Sequence, residues 1–214
     1  MAAMLEPYLH DPAEITRRSF EIIRHEADLA ALPADAVPLA LRMIHACGMT
    51  DIVSDLAITN DAVASGQGAL IAGAPILCDA FMVAAGITRS RLPVGNAVHC
   101  LIADDDVARE ATARGVTRAM VAVERWQNRL DGAVVAIGNA PTALFRLIEG
   151  IEAGWPRPTL VVATPVGFVG AAEAKDALIE AGLGVPYVTL RGRRGGSALA
   201  AAAINALARD EGGA

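Results

Sequence analysis

Ala133-Val134-Val135-Ala136-Ile137-Gly138-Asn139-Ala140-Pro141-Thr142 is the stretch that decides the fold. Its first five residues are apolar without alternation, the pattern of a strand covered on both faces. Gly138 and Asn139 then turn the chain, and Pro141 suits the first turn of a helix, where its missing N–H costs nothing. Working outward, the same cadence of a short apolar run followed by a helical pattern recurs at 75–78, 98–102, 159–163 and 187–190. Helices are predicted at 61–72, 79–86, 105–129 with a break near Gly115, 141–153, 171–182 and 196–208. Strands alternating with helices imply right-handed crossovers and a parallel sheet, here of about five strands.

The first fifty residues read as helical. Asp11-Pro12-Ala13-Glu14 has the form of a capping box, with Glu14 reaching back. The helix it opens carries Ile15, Ser19, Ile22 and Ile23 on one stripe. A second helix runs from near Asp35 to Gly48, a residue suited to a left-handed terminus. Its stripe is Val37, Leu41, Ile44 and His45. The whole of 1–214 is expected to form one domain, since no linker or internal repeat interrupts it.

Composition excludes several classes. Apolar residues make up 54% of the 214 and mean hydropathy is +0.41. Yet the longest apolar stretch, 69–87, is broken by Pro75 and Asp79, short of the roughly 20 apolar residues that span a bilayer. His10, Asp11 and Glu14 stand where a secretion signal needs its apolar core. The three cysteines, at 47, 78 and 100, match neither a zinc spacing nor a disulfide framework. A soluble protein of the reducing cytoplasm is expected, one that binds neither membrane nor metal. The net charge of −6 argues against nucleic acid as a partner.

All but one of the 18 basic residues are arginine, the exception being Lys175. Arginine holds carboxylates and phosphates in a bidentate fork. Several arginines fall where ligands of parallel sheets bind, beyond the carboxyl ends of the strands. Arg191-Gly192-Arg193-Arg194-Gly195-Gly196-Ser197 follows the last predicted strand and opens the last helix. Arg89 and Arg91 follow the first strand–helix unit, and Arg118 begins a further helix. Gly138–Thr142 and 164–170 are the other loops of that edge, with glycines that let a ligand approach backbone amides. Gly66-Gln67-Gly68 precedes a strand and lacks the third glycine of a dinucleotide fingerprint. No P-loop, Gly-x-Ser-x-Gly elbow or His-Glu-x-x-His pair is present.

His45 is the candidate proton carrier. It lies in the last turn before Gly48, where the helix dipole favours the imidazolium by about 0.3–1 kcal/mol. Burial acts in the opposite sense. Between them they leave a side chain able to give and retake a proton, as a general acid must. Cys47, two residues on, points elsewhere, so no His–Cys dyad forms.

Several segments together resemble the precorrin-8X methylmutase (precorrin isomerase) family. They are Arg18-Ser19-Phe20, Arg42-Met43-Ile44-His45-Ala46-Cys47-Gly48, Gly73-Ala74-Pro75-Ile76-Leu77-Cys78-Asp79 and Thr88-Arg89-Ser90-Arg91-Leu92. Val135–Phe145, Pro165–Glu173, Lys175-Asp176-Ala177-Leu178 and Gly192–Ser197 continue the match in order, across roughly residues 8 to 209. It is weakest over 51–66 and 104–125.

The resemblance implies an α/β, flavodoxin-like three-layer fold with an N-terminal helical segment. It implies an isomerase of cobalamin biosynthesis that moves a methyl group from C11 to C12 of a corrin precursor, giving hydrogenobyrinic acid. It also implies a homodimer with sites near the subunit interface, and no cofactor. His45 matches the family's proton donor and acceptor, and Ser19 a substrate-binding position. Arg89, Arg91, Arg118, Arg193 and Ser197 are added from placement as anchors for the substrate's carboxylates, followed by Arg17 and Arg42 as neighbours of Ser19 and His45. Direct transfer of product to the next enzyme is a further expectation. Three alternatives stay open: a cobalt-containing substrate giving cobyrinic acid, a non-catalytic corrinoid carrier, and an ordinary α/β hydrolase or transferase.

Overall fold

The structure, a computed structural model, describes residues 8–208. In chain order the elements are α1 (Pro12–Glu26), a 3-10 turn (Ala34–Ala36), α2 (Val37–Cys47), a 3-10 segment (Thr50–Asp55), β1 (Leu56–Ile58) and α3 (Ala62–Ile71). Then come β2 (Ile76–Cys78), α4 (Phe81–Gly86), a 3-10 turn (Arg89–Arg91), β3 (Val98–His99), α5 (Asp105–Arg114), α6 (Arg118–Glu124) and α7 (Gln127–Leu130). The chain ends through β4 (Val134–Ile137), α8 (Pro141–Glu152), β5 (Leu160–Ala163), α9 (Ala171–Glu180), β6 (Tyr187–Leu190) and α10 (Ser197–Leu207).

The sheet has six strands in the order β1-β6-β5-β4-β2-β3, one more than the sequence reading. All pairs are parallel except β1 with β6, where Leu56 faces Leu190 and Ile58 faces Val188. Three half-buried residues carry no period-2 pattern of their own. Pairing with the edge of β6 makes Leu56–Ile58 a strand. The run at 98–102 is strand only at Val98–His99, again at an edge.

The central strands are sealed on both sides, which explains their lack of alternation. Val134 and Ala136 face a core built with α2, α3, α4 and α10, while Val135 and Ile137 face a second core built with α6, α8 and α9. Burying each Val, Leu or Ile contributes about 1.5–3 kcal/mol, so the two cores supply most of the stability. The predicted helix at 105–129 is three helices, α5 to α7. Gly115 ends the first in a left-handed turn at φ 65, and Thr117 caps the second.

The N-terminal hairpin joins the first of these cores through α2, which packs on α10, while α1 packs on α2. Asp11 caps α1 by accepting the N–H groups of Ala13 and Glu14. Glu14 does not reach back. It turns outward to pair with Arg17, a stronger, charge-assisted contact. The expected stripe is split as well: Ile23 is buried, whereas Ile15 and Ile22 are 41% and 47% exposed. One side of α1 faces α2, and the other faces outward.

Two glycines explain themselves by packing. A Cβ on Gly66 would lie 2.7 Å from a Leu160 methyl, so that glycine serves helix–sheet contact. A Cβ on Gly138 would meet the Ser197 Cα at 2.7 Å and a Val83 methyl at 2.8 Å, with no room for the backbone to retreat. Gly138→Ala is therefore expected to lower the unfolding free energy by about 2 kcal/mol, read from urea denaturation of wild type and variant. An unchanged midpoint would refute this account of the turn.

Candidate active site

Gly48 ends α2 in the left-handed conformation at φ 69, its N–H donating to the Ile44 carbonyl at 2.8 Å. That termination leaves His45 in the last turn. The structure departs from the expected stripe here: Leu41 and Ile44 are buried, but His45 is exposed. Its ring sits 5.3 Å from that of Phe20 on α1, tilted by 39°, and the Arg42 guanidinium lies 5.1 Å over the same phenyl ring. Cys47 turns away, its thiol directed at the Ile44 carbonyl.

His45 opens onto a cleft of about 780 Å³ between α1 and α2, whose walls include Phe20, Leu41, Arg17, Arg24, Arg42 and Arg91. The cleft combines an apolar floor with several cations. Arg17 is occupied by Glu14 and Glu21, whereas Arg24 and Arg91 form no salt bridge among the described residues. Arg17 and Arg42, expected as neighbours of Ser19 and His45, line this wall, as do Phe20 and Arg24, which were not among the expected anchors. Their signal was proximity, since Phe20 follows Ser19, and Arg42 precedes His45 by three residues, on the same helical face.

The other expected positions are dispersed. Ser19 faces a separate hollow of about 350 Å³ on the outer side of α1, beside Leu9, Ile15, Arg18 and Ile22, and its hydroxyl donates to the Ile15 carbonyl. The two hollows share no lining residue. Arg89 shares the exposed 3-10 turn with Arg91 but does not line the cleft. Arg118 is exposed at the start of α6, across the sheet from α2. Ser197, at the first position of α10, is 7% exposed and its backbone presses on Gly138.

The carboxyl edge of the sheet supplies its own anions. Asp79, at the end of β2 and 1% exposed, accepts the N–H of Gly138 at 2.9 Å, of Asn139 at 3.0 Å and of Ala140 at 2.7 Å. The Gly138–Thr142 turn, expected to receive a substrate anion, thus has its amides filled by the protein's own carboxylate. Burial pushes the Asp79 carboxyl up, and the three amide donors oppose that rise. The charge that broke the apolar run after β2 was the sequence signal for this contact.

The arginine loop 191–196 is likewise partly neutralised. Arg191 pairs with Asp176, and Arg194 with both Asp51 and Asp55. Arg193 alone of the three makes no ion pair among the described residues. Its guanidinium lies 5.5 Å over the ring of Phe168, which is 84% exposed. Beneath the loop, Lys175 is fully buried and donates to the Arg194 carbonyl at 2.7 Å. Desolvation lowers its ammonium from 10.5 to about 8, opposed by Asp176 and Asp55. No group of three or more His, Cys, Asp or Glu side chains is gathered for a metal among the described residues. Cys78 is 1% exposed, and burial pushes its thiol up, away from the thiolate a nucleophile needs.

A doubly covered α/β sheet, with a histidine opening onto a large cleft lined by arginines and an aromatic ring, is the outline of an enzyme for a bulky, multiply anionic molecule. Comparison with known proteins makes this particular. The CbiC family model, precorrin-8X methylmutase, matches residues 14–210. A precorrin-8X methylmutase of Pseudomonas aeruginosa is 58% identical over 95% of this chain and 98% of its own length. One of Sinorhizobium is 52% identical over 94% and 96%, and a cobalt-precorrin-8 methylmutase of Priestia megaterium 36% identical over 94% and 89%. The solved structure of a Thermus thermophilus precorrin-8x methyl mutase superimposes with a TM-score of 0.83 at 42% identity, covering 92% of this chain and 94% of that one. The chain belongs to the precorrin-8X methylmutase family, isomerases of cobalamin biosynthesis. No helix among the described residues is long and apolar enough to cross a membrane.

The buried lysine makes one pH dependence predictable. Between about pH 8 and 10.5 the unfolded chain keeps a proton on Lys175 that the folded chain has released. Stability therefore gains a rising contribution across that window, and below it only a constant penalty remains. Lys175→Met should remove this rise from the urea midpoint measured against pH. Parallel wild-type and variant curves through the window would refute the assignment.

Proposed function

We propose that this chain converts precorrin-8X to hydrogenobyrinic acid by an intramolecular shift of the methyl group from C11 to C12, with His45 lending and recovering one proton. The observation that carries this reading is the exposed His45 at the end of α2, inside the cationic cleft and against Phe20. A methyl shift within one conjugated ring needs no external nucleophile. It needs the macrocycle held still and its π-system made electron-poor. Proton transfer from His45 to a ring nitrogen does the second, and return of the proton after migration closes the cycle without net change. Phe20 and Leu41 offer an apolar surface for the ring, and Arg24, Arg42 and Arg91 surround it with donors for carboxylates.

Ser19, Arg89, Arg91, Arg118, Arg193 and Ser197 form the proposed binding set. Arg91 has the strongest support, because it shares the His45 cleft. The others lie around the molecule and so suit a site shared by two copies. A homodimer fits the exposed Leu9, Ile15 and Ile22 around Ser19, an apolar strip with nothing over it among the described residues. Operation in the cytoplasm, as one domain and with product passed directly to the next enzyme, completes the proposal. The metal-free substrate is favoured over the cobalt form because the relatives named for it are 58% and 52% identical, against 36% for a cobalt-precorrin-8 methylmutase.

The test is the absorption spectrum of purified protein after incubation with precorrin-8X. Wild type should reach the spectrum of hydrogenobyrinic acid, while His45→Ala binds without converting. Arg193→Ala should weaken substrate binding about tenfold, the loss of one charge-assisted contact. Binding without turnover by wild type, with both the metal-free and the cobalt substrate, would identify a carrier instead. An Arg193→Ala affinity within about twofold of wild type would remove that residue from the set.

A further inference from the structure

The loop between β6 and α10 is held from several sides. The Gly196 N–H donates to the Thr164 carbonyl at 2.7 Å, and the Gly167 N–H to the Arg193 carbonyl at 3.2 Å. A Cβ at Gly195 would lie 2.3 Å from the Thr164 carbonyl oxygen, so the loop is pressed flat on the end of β5. From below, Lys175 grips the Arg194 carbonyl. These contacts all belong to the sheet side.

Arg194 reaches in the other direction through its side chain. Its two terminal nitrogens reach Asp51 Oδ2 at 2.6 Å and Asp55 Oδ2 at 2.5 Å. Both aspartates lie in the 3-10 segment Thr50–Asp55, which begins two residues after Gly48 ends the His45 helix. Asp55 is tied a second time, its carbonyl accepting the Arg191 N–H at 2.8 Å. One guanidinium therefore spans the segment leaving the proton donor and the loop bearing Arg193. Partly exposed ion pairs add little stability singly. Their value here is geometric, since a planar fork on two carboxylates fixes both distance and orientation.

We propose that Arg194 is a positioning residue that straps the Arg193 loop to the segment following His45, holding a carboxylate anchor and the proton donor in fixed register. The inference rests on the functional reading above, in which His45 carries the proton and Arg193 binds substrate.

Arg194 touches neither the cleft nor the reacting atoms, so its effect must pass through other residues, and that is what the experiment reads. Arg194→Met should raise KM for precorrin-8X and lower kcat, with kcat/KM falling about tenfold. In an Arg193→Ala background the KM penalty of Arg194→Met should largely vanish, because the loop no longer carries an anchor to misplace. Exchanging the charges in Arg194→Asp with Asp55→Arg should restore part of kcat/KM relative to Arg194→Asp alone. Should Arg194→Met fold poorly, Arg194→Lys, which keeps a charge but loses the fork, should give an intermediate loss.

Wild-type kcat and KM in Arg194→Met, with only a lowered Tm, would show a merely structural ion pair and overturn the proposal. So would a KM penalty that adds in full to that of Arg193→Ala. If instead His45→Ala and Arg193→Ala both keep wild-type kinetics, the functional reading has failed, and the strap falls with it.

Discussion

Asp79 carries a carboxylate into the centre of the sheet's carboxyl edge, where leaving it unmatched would cost several kcal/mol. The N–H groups of Gly138, Asn139 and Ala140 meet it there. The contact joins β2 to the turn after β4 at the point where the winding reverses: from β4 the chain proceeds toward β5, and from β2 toward β3. In doubly wound folds that reversal opens a crevice in which ligands bind. Here the protein's own side chain fills it. The absence of a Cβ on Gly138 lets α10 and α4 close over the same place, so the packing of one face depends on a turn that Asp79 shapes.

On the proposed reading the chemistry sits in the helical layer instead. The cleft between α1 and α2 holds His45, Phe20 and the arginines. Arginine abundance serves two ends. Arg114 and Arg146 converge on Glu124, and Arg191 and Arg194 neutralise acidic neighbours, stiffening the scaffold. Arg24, Arg91 and Arg193 make no ion pair among the described residues, and the proposed function gives them the substrate's carboxylates. Arg114 holds the Glu124 carboxyl down to about 2, with Arg146 adding to the effect.

Much of this was legible in the chain. The apolar runs marked every central strand because burial on both faces demands them, and Pro141, Gly48 and Gly115 marked helix ends because their backbone preferences are local. The candidate site was legible in part. His45 could be singled out by its place before Gly48, yet its exposure could not, since in the sequence the helical stripe that buries Leu41 and Ile44 runs on into it. The arginines of 191–194 look alike in sequence. Their separation into Arg191 and Arg194, which are paired, and Arg193, which is not, depends on aspartates as far away as Asp51.

The sequence by itself determined the α/β class, the helical N-terminus and the family, because these follow from periodicity, local backbone preference and motif order. Tertiary structure alone decided the sixth strand, whose three residues become a strand only through the edge of β6. It also decided that Ser19 and His45 face different hollows, and that the Gly138 turn is occupied by Asp79. Each of these depends on which distant group supplies a hydrogen bond or a charge, and no local pattern records a partner brought near only by folding.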